Sequence, residues 1–275
     1  MTKSATTKSI VVGIDGSKAA LRAAQWAVDE AVSRDVPLRL VYAIEQGDTS
    51  RESAESAVRQ ARTAMEAAGK PVKIETEVVH GTAVGSLIRA SASAAMVCVG
   101  AVGLRHFQPG RVGSTAAALA MSAHCPVAII RGGDGRPGRP AREIVAEVDG
   151  SPRNGVLLGT ALEEAVLRDA ALQVVICRRT VPAETGEAGA EGDRRALARL
   201  DRWLAGWKRR YPQLRIESVV VHGGIAEYLT RHRSVGLVIV GAHDPQRVAE
   251  LVGQVGSAIL QEIDCSLLIV NRQHL

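Results

Sequence analysis

The stretch Gly100-Ala-Val-Gly103-Leu-Arg105-His106-Phe-Gln-Pro-Gly-Arg111-Val-Gly113-Ser114-Thr115 combines residue types suited to holding an anion. Gly100 and Gly103 bracket a turn in which backbone must pass close to a ligand, and glycine permits both that approach and positive φ. Gly113 opens an alanine-rich helix, whose first turn offers free N–H groups and the positive end of the helix dipole. Ser114 and Thr115 add hydroxyl donors, and Arg105 and Arg111 add charge from the loop. The chemistry implied is phosphate binding. Glycines at strand ends are most often simple turns, so this reading depends on the elements around the loop.

Those elements are short β-branched runs alternating with longer helical patterns. In the first half, strands are expected near 9–14, 38–43, 72–79, 96–100 and 127–131; in the second, near 144–148, 172–177, 215–221, 237–241 and 266–271. Ala20, Leu21, Ala24, Ala27, Val28 and Ala31 recur at helical spacing and give the first helix an apolar face. Alternation of this kind predicts an α/β fold with right-handed crossovers and doubly wound parallel sheets. Ligands of such sheets bind beyond the carboxyl ends of the strands, where Asp15-Gly16-Ser17 and the glycine loop both fall.

The halves repeat one another. Ser9-Ile-Val-Val-Gly-Ile-Asp-Gly-Ser17 matches Glu143-Ile-Val-Ala-Glu-Val-Asp-Gly-Ser151, and further matches follow in order: Val79-His80-Gly81 with Val221-His222-Gly223, Val99-Gly100-Ala101 with Val240-Gly241-Ala242, and Cys125 with Cys265. Collinear matches of this kind mark a duplicated domain. The expected organisation is a first domain over 1–133, a Gly/Pro/Arg linker over 134–142 and a second domain over 143–275, with an acidic, glycine-rich exposed loop from Pro182 to Asp193. The apolar last strand of each copy needs a cover, which either the other copy or a second chain would supply.

The bulk properties narrow the function classes. A chain of 275 residues with 46% hydrophobic and 23% charged residues has the make-up of a folded protein. Net charge is +5, but the basic residues are scattered and aromatics are only 3%, which argues against nucleic-acid binding. The uncharged run from Gly113 to Ile130 reads as a helix followed by a strand rather than a membrane span. Cys98, Cys125, Cys177 and Cys265 lack CxxC spacing, and the N-terminus lacks a signal-peptide pattern, so reduced thiols and a cytoplasmic location are expected. No Walker A lysine loop, HExxH, nucleophile elbow or metal-ligand cluster appears. His80 and His222 precede glycines at strand ends, a place as consistent with a structural as with a chemical role; His106 and His243 read as solvated loop residues. Trp203 and Trp207, four apart, read as core or interface anchors.

The G-x2-G-x9-G-S pattern after the fourth strand, the Val-Gly-Ile-Asp-Gly-Ser opening and the closing Cys125-Pro126-Val127 together resemble the universal stress protein family, twice over nearly the whole chain. The resemblance implies tandem five-stranded parallel sheets of order 3-2-1-4-5. By the family's ATP-binding branch, it implies that Gly100, Gly103, Gly113 and Ser114 hold phosphates with Thr115 beside them. It further implies that Asp15 lies near the adenosine end, and that Ala43 and Val99 line the adenine pocket. Ala116 stands where the family commonly has a second hydroxyl. The second copy departs further: Asp244 replaces a glycine, the spacer is one residue short and Gln254 replaces the serine, so weak or absent nucleotide binding is expected there, unless Gly256-Ser257 supply a shifted register. The implied function is an ATP-binding, nucleotide-responsive regulator, with magnesium left open, pairing as a dimer on top of an intrachain domain pair and read by unknown protein partners. A slow ATPase or phosphate-transfer enzyme, and an interaction module without nucleotide, remain alternatives; no general base is evident for the former.

Overall fold

A computed structural model describes residues 8–45, 51–104, 111–132, 143–151, 154–178 and 187–271. The first half runs β1 (Ile10–Gly13), α1 (Lys18–Ser33), β2 (Leu38–Ile44), α2 (Arg51–Glu66), β3 (Ile74–His80), α3 (Ala83–Ser91), β4 (Met96–Gly100), α4 (Ser114–Ser122) and β5 (Val127–Ile130). The second runs β6 (Glu143–Val148), α5 (Gly155–Leu167), β7 (Leu172–Arg178), α6 (Glu187–Arg210), β8 (Ile216–His222), α7 (Ile225–Arg231), β9 (Val235–Gly241), α8 (Pro245–Val252), α9 (Gln254–Glu262) and β10 (Ser266–Val270).

Each half has the expected parallel order 3-2-1-4-5, but the two sheets are not separate. They fuse into one ten-stranded sheet, β3-β2-β1-β4-β5-β10-β9-β6-β7-β8. The junction is the antiparallel pair β5–β10, in register Leu267↔Ile129, Leu268↔Ala128 and Ile269↔Val127. An unpaired apolar edge would leave ladder N–H and C=O groups without partners, and each last strand removes the other's edge.

Alternate strand residues feed two cores. Ile10, Val12, Leu40 and Cys98 pack beneath α1 and α2, and Ile144, Ala146 and Val174 beneath α5 and α6. Val11, Val97, Val99, Val238 and Ile269 face the layer formed by α3, α4, α7, α8 and α9. Burial on both faces explains the near-continuous Val/Ile/Leu runs, each buried side chain contributing roughly 1.5–3 kcal/mol. Trp203 and Trp207 pack partly buried against the first core, and Trp207 stacks on Tyr211.

Two expectations need correction. The acidic stretch read as a loop to Asp193 is helical from Glu187, because Gly189 and Gly192 fall in the first turns of a long amphipathic helix anchored by Ala196, Leu200 and Leu204. The second-half spacer read as a phosphate loop is the helix α8. The linker 134–142, Arg105 and His106 lie outside the described residues.

Candidate functional site

At the carboxyl ends of β1, β2 and β4, the first half opens into a cavity of about 360 Å³. Asp15, Ala43, Val99, Gly100, Gly103, Gly113, Ser114 and Thr115 all line it. Gly13, Tyr42, Glu45 and Leu87, which sequence reasoning passed over, line it as well.

Local chemistry places each part. Gly16 takes φ +84° in the turn after β1. Ser17 then caps α1 by accepting from the Ala20 N–H at 3.0 Å. Asp15 is pinned on both oxygens: Oδ1 accepts from the Ser17 N–H at 2.9 Å and Oδ2 from the Leu104 N–H at 3.1 Å. It therefore ties the glycine loop to the end of β1. None of the three loop glycines adopts positive φ, and two of them are required by close approach. A Cβ at Gly100 would sit 2.7 Å from the Ala19 backbone, and one at Gly103 would sit 2.6 Å from Asp15 Oδ2. At Gly113 the nearest atom would be 3.5 Å away, so that position is open.

The Gly113 N–H donates to the Ala101 carbonyl at 2.8 Å, which holds the start of α4 against the loop. The N–H groups of Ser114, Thr115 and Ala116 have no carbonyl a turn earlier in the helix, and they begin the helix at the cavity wall. The donors and dipole suit an anion at one end of the cavity. At the other end, Val41, Ala43, Leu87 and Val99 make an apolar slot, and the Glu45 carboxylate accepts from the Ala83 N–H at 3.3 Å. A flat apolar group joined to an anionic tail fits both ends.

At the corresponding place in the second half stands a charged pair. Glu147 stands where the first half has Gly13, nine-tenths buried, and its carboxylate meets Arg247 of α8 at 3.0 Å. Burial pushes the Glu147 carboxyl up to about 7, and Arg247 only partly opposes this. Asp244 caps α8 by accepting from the Arg247 N–H at 3.0 Å, with Pro245 at the first helical position. Asp149 repeats the turn bond of Asp15, accepting from the Ser151 N–H at 2.8 Å, but its other oxygen faces His243 at 3.4 Å. Burial pushes the Asp149 carboxyl up, yet the bonds from Ser151 and Asn154 outweigh it and hold the group below its ordinary value. His222 pairs with Asp193 at 2.7 Å, away from this cluster.

Among the described residues, no helix is long and apolar enough to cross a membrane, and no group of three or more His, Cys, Asp or Glu could hold a metal ion. The model of the Universal stress protein family matches residues 6–131 and again 140–271. Universal stress protein Rv2028c of Mycobacterium tuberculosis is 53% identical, with all of both chains covered. Universal stress protein Rv2624c of the same organism is 40% identical over 97% of each. Among solved structures, a universal stress protein from Archaeoglobus fulgidus superposes with a TM-score of 0.71 over 97% of each chain at 15% identity, a likeness of fold. With two family matches that meet across one sheet, the chain belongs to the universal stress protein family.

Proposed function

We propose that the first half binds ATP and that the protein acts as a cytoplasmic, nucleotide-responsive regulator of stress or growth state. One observation carries this reading: a single cavity joins the N-terminus of α4 and the glycine loop to the apolar slot between β2 and α3. In this reading the phosphates lie against the Ser114, Thr115 and Ala116 N–H groups and the Ser114 and Thr115 hydroxyls, while the adenine lies between Val41, Ala43, Leu87 and Val99. A ligand so placed biases the protein only where it binds one conformation better than another.

Denaturing the purified protein and identifying released small molecules, with calorimetry of the nucleotide-free chain, tests this. The expected result is one adenine nucleotide per chain. Gly113→Glu is the cleanest lesion, since its Cβ meets nothing closer than 3.5 Å and the fold is expected to survive. Its carboxylate would occupy the anion end, and affinity is expected to fall on the order of 100-fold or more. Unchanged affinity in that variant would remove the site assignment, and absence of any nucleotide binding by the wild type would remove the function.

A further inference from the structure

The junction of the two halves has the form of a self-pairing surface. The β5–β10 register is centred on Ala128 opposite Leu268, which hold the same place in their two copies, and Leu267↔Ile129 mirrors Ile269↔Val127. A two-fold arrangement of this kind lets a surface meet a second copy of itself. The strands do not decide between a β10 and another β5, since both are apolar. Nor do α1 and α5, because Glu30 and Arg34 there meet Glu164 and Arg168, the same residue types from each copy.

The residues that flank the two strands do differ. Arg131 follows β5 and is only 6% exposed. Burial pulls its guanidinium down to about 10, so it stays charged at neutral pH. Its Nη2 donates to the buried Ser257 Oγ of α9 at 2.8 Å. Its N–H donates to the buried Ser266 Oγ at 3.0 Å, and that hydroxyl donates back to the Arg131 carbonyl at 3.2 Å. Asp264 brings negative charge to the same place, and at Gly132, φ +59°, a Cβ would run into its carboxylate. On the other side of the two-fold, Asn271 stands in place of Arg131 and donates to the Ala123 and Cys125 carbonyls at 2.6 and 2.9 Å. In the first copy, Ala117, His124 and Pro126 take the places of Ser257, Asp264 and Ser266. Against another first half, the buried guanidinium would thus find no hydroxyl and no carboxylate, and a buried charge without partners is costly.

We propose that Arg131, with Ser257, Asp264 and Ser266 facing it, is the specificity determinant of the junction: it fits the first half's last strand to a second half and rejects another first half. Selection of this kind works by leaving the wrong pair with an unmatched polar group.

The test asks, in the intact chain, whether the preferred residue at 131 changes with the face opposite. Arg131→Asn, which gives the first half the second half's residue, is expected to lower the folding equilibrium in chemical denaturation on the order of tenfold. In a Ser257→Ala, Asp264→Asn, Ser266→Pro background the same change is expected to raise it, since the arginine has then lost its partners. Asp264→Asn keeps the turn at φ +56°, which asparagine tolerates. If the triple variant does not fold, Ser257→Ala with Asp264→Asn serves, and there the penalty of Arg131→Asn is expected to vanish. The same penalty in both backgrounds is what a merely structural arginine would show, and it would overturn the proposal.

Discussion

The two pockets of this chain descend from one pattern and end in opposite states. In both, a strand ends in Asp-Gly-Ser, the glycine takes positive φ and the aspartate accepts from the N–H two residues on. They diverge at one residue before that turn and in one loop after the fourth strand of the half. Gly13 leaves the first cavity open, whereas Glu147 sends a carboxylate into the equivalent space, where it pairs with Arg247. The first loop keeps its glycines, whereas the second has become α8, whose C-terminal carbonyls press on α9: a Cβ at Gly256 would lie 2.3 Å from the Glu250 oxygen. A duplicated fold thus keeps its strands and turns while one copy fills its own site, and the filled copy still covers the other's sheet edge.

The largest expected effect comes from moving the filling residue across. Gly13→Glu places in the first cavity the carboxylate that the second half carries there. Its Cβ would meet Leu87 Cδ1 at 2.9 Å, the end of a movable side chain, so the fold is expected to hold. The charge faces the proposed phosphates, and ATP affinity by calorimetry should drop on the order of 100-fold. Gly13→Gln controls for volume. Full affinity in Gly13→Glu would break the comparison, because the difference at this position would then have no functional weight.

A smaller effect concerns stability in the second half. Burial pushes the Glu147 carboxyl up to about 7 in the folded chain, above the ordinary glutamate value of 4.5, against the opposing pull of Arg247 and of a hydrogen bond from Cys177. A raised carboxyl contributes most at low pH and becomes a cost as pH climbs toward the folded value. Glu147→Gln is therefore expected to be more stable than wild type at pH 8 by about 1–2 kcal/mol, with the difference vanishing near pH 5. Arg247 keeps Glu250 at 3.5 Å as a partner in that variant. Denaturation at the two pH values checks it; equal stability at pH 8 would mean that Arg247 fully offsets the burial of Glu147.

Much of this was legible from residues alone, for local reasons. All ten strands lie within two residues of their expected places, since β-branched runs between turn residues need no tertiary information. The eight residues that the family resemblance implied for the first site line one cavity, at the strand ends and helix start where the topology alone pointed only to the Asp15 turn and the glycine loop. The fused sheet was legible in part: the apolar last strands called for a cover from the other copy or from a second chain, and the β5–β10 pair is the former, but its antiparallel register joins strands far apart in sequence and carries no local signal. Glu147 was visible in the aligned repeats, opposite Gly13, but a single acid in an apolar run carries no sign of the arginine that meets it. Asp244-Pro245 was a helix-start signal, overlooked because the segment was compared with a glycine loop.

That last residue gives the smallest and most discriminating prediction. A carboxylate at position 244 that merely repelled phosphate would, on removal, restore a second nucleotide site. The structure gives it a different task, since its side chain caps α8 and so helps to hold Arg247 against Glu147. Asp244→Ala is then expected to cost about 1 kcal/mol, the usual worth of an N-cap, seen as a lower denaturation midpoint. Nucleotide stoichiometry should stay at one per chain, and first-site affinity should be unchanged. A second nucleotide in Asp244→Ala would mean that charge alone, and not the filling of the pocket by α8 and Glu147, separates the two halves.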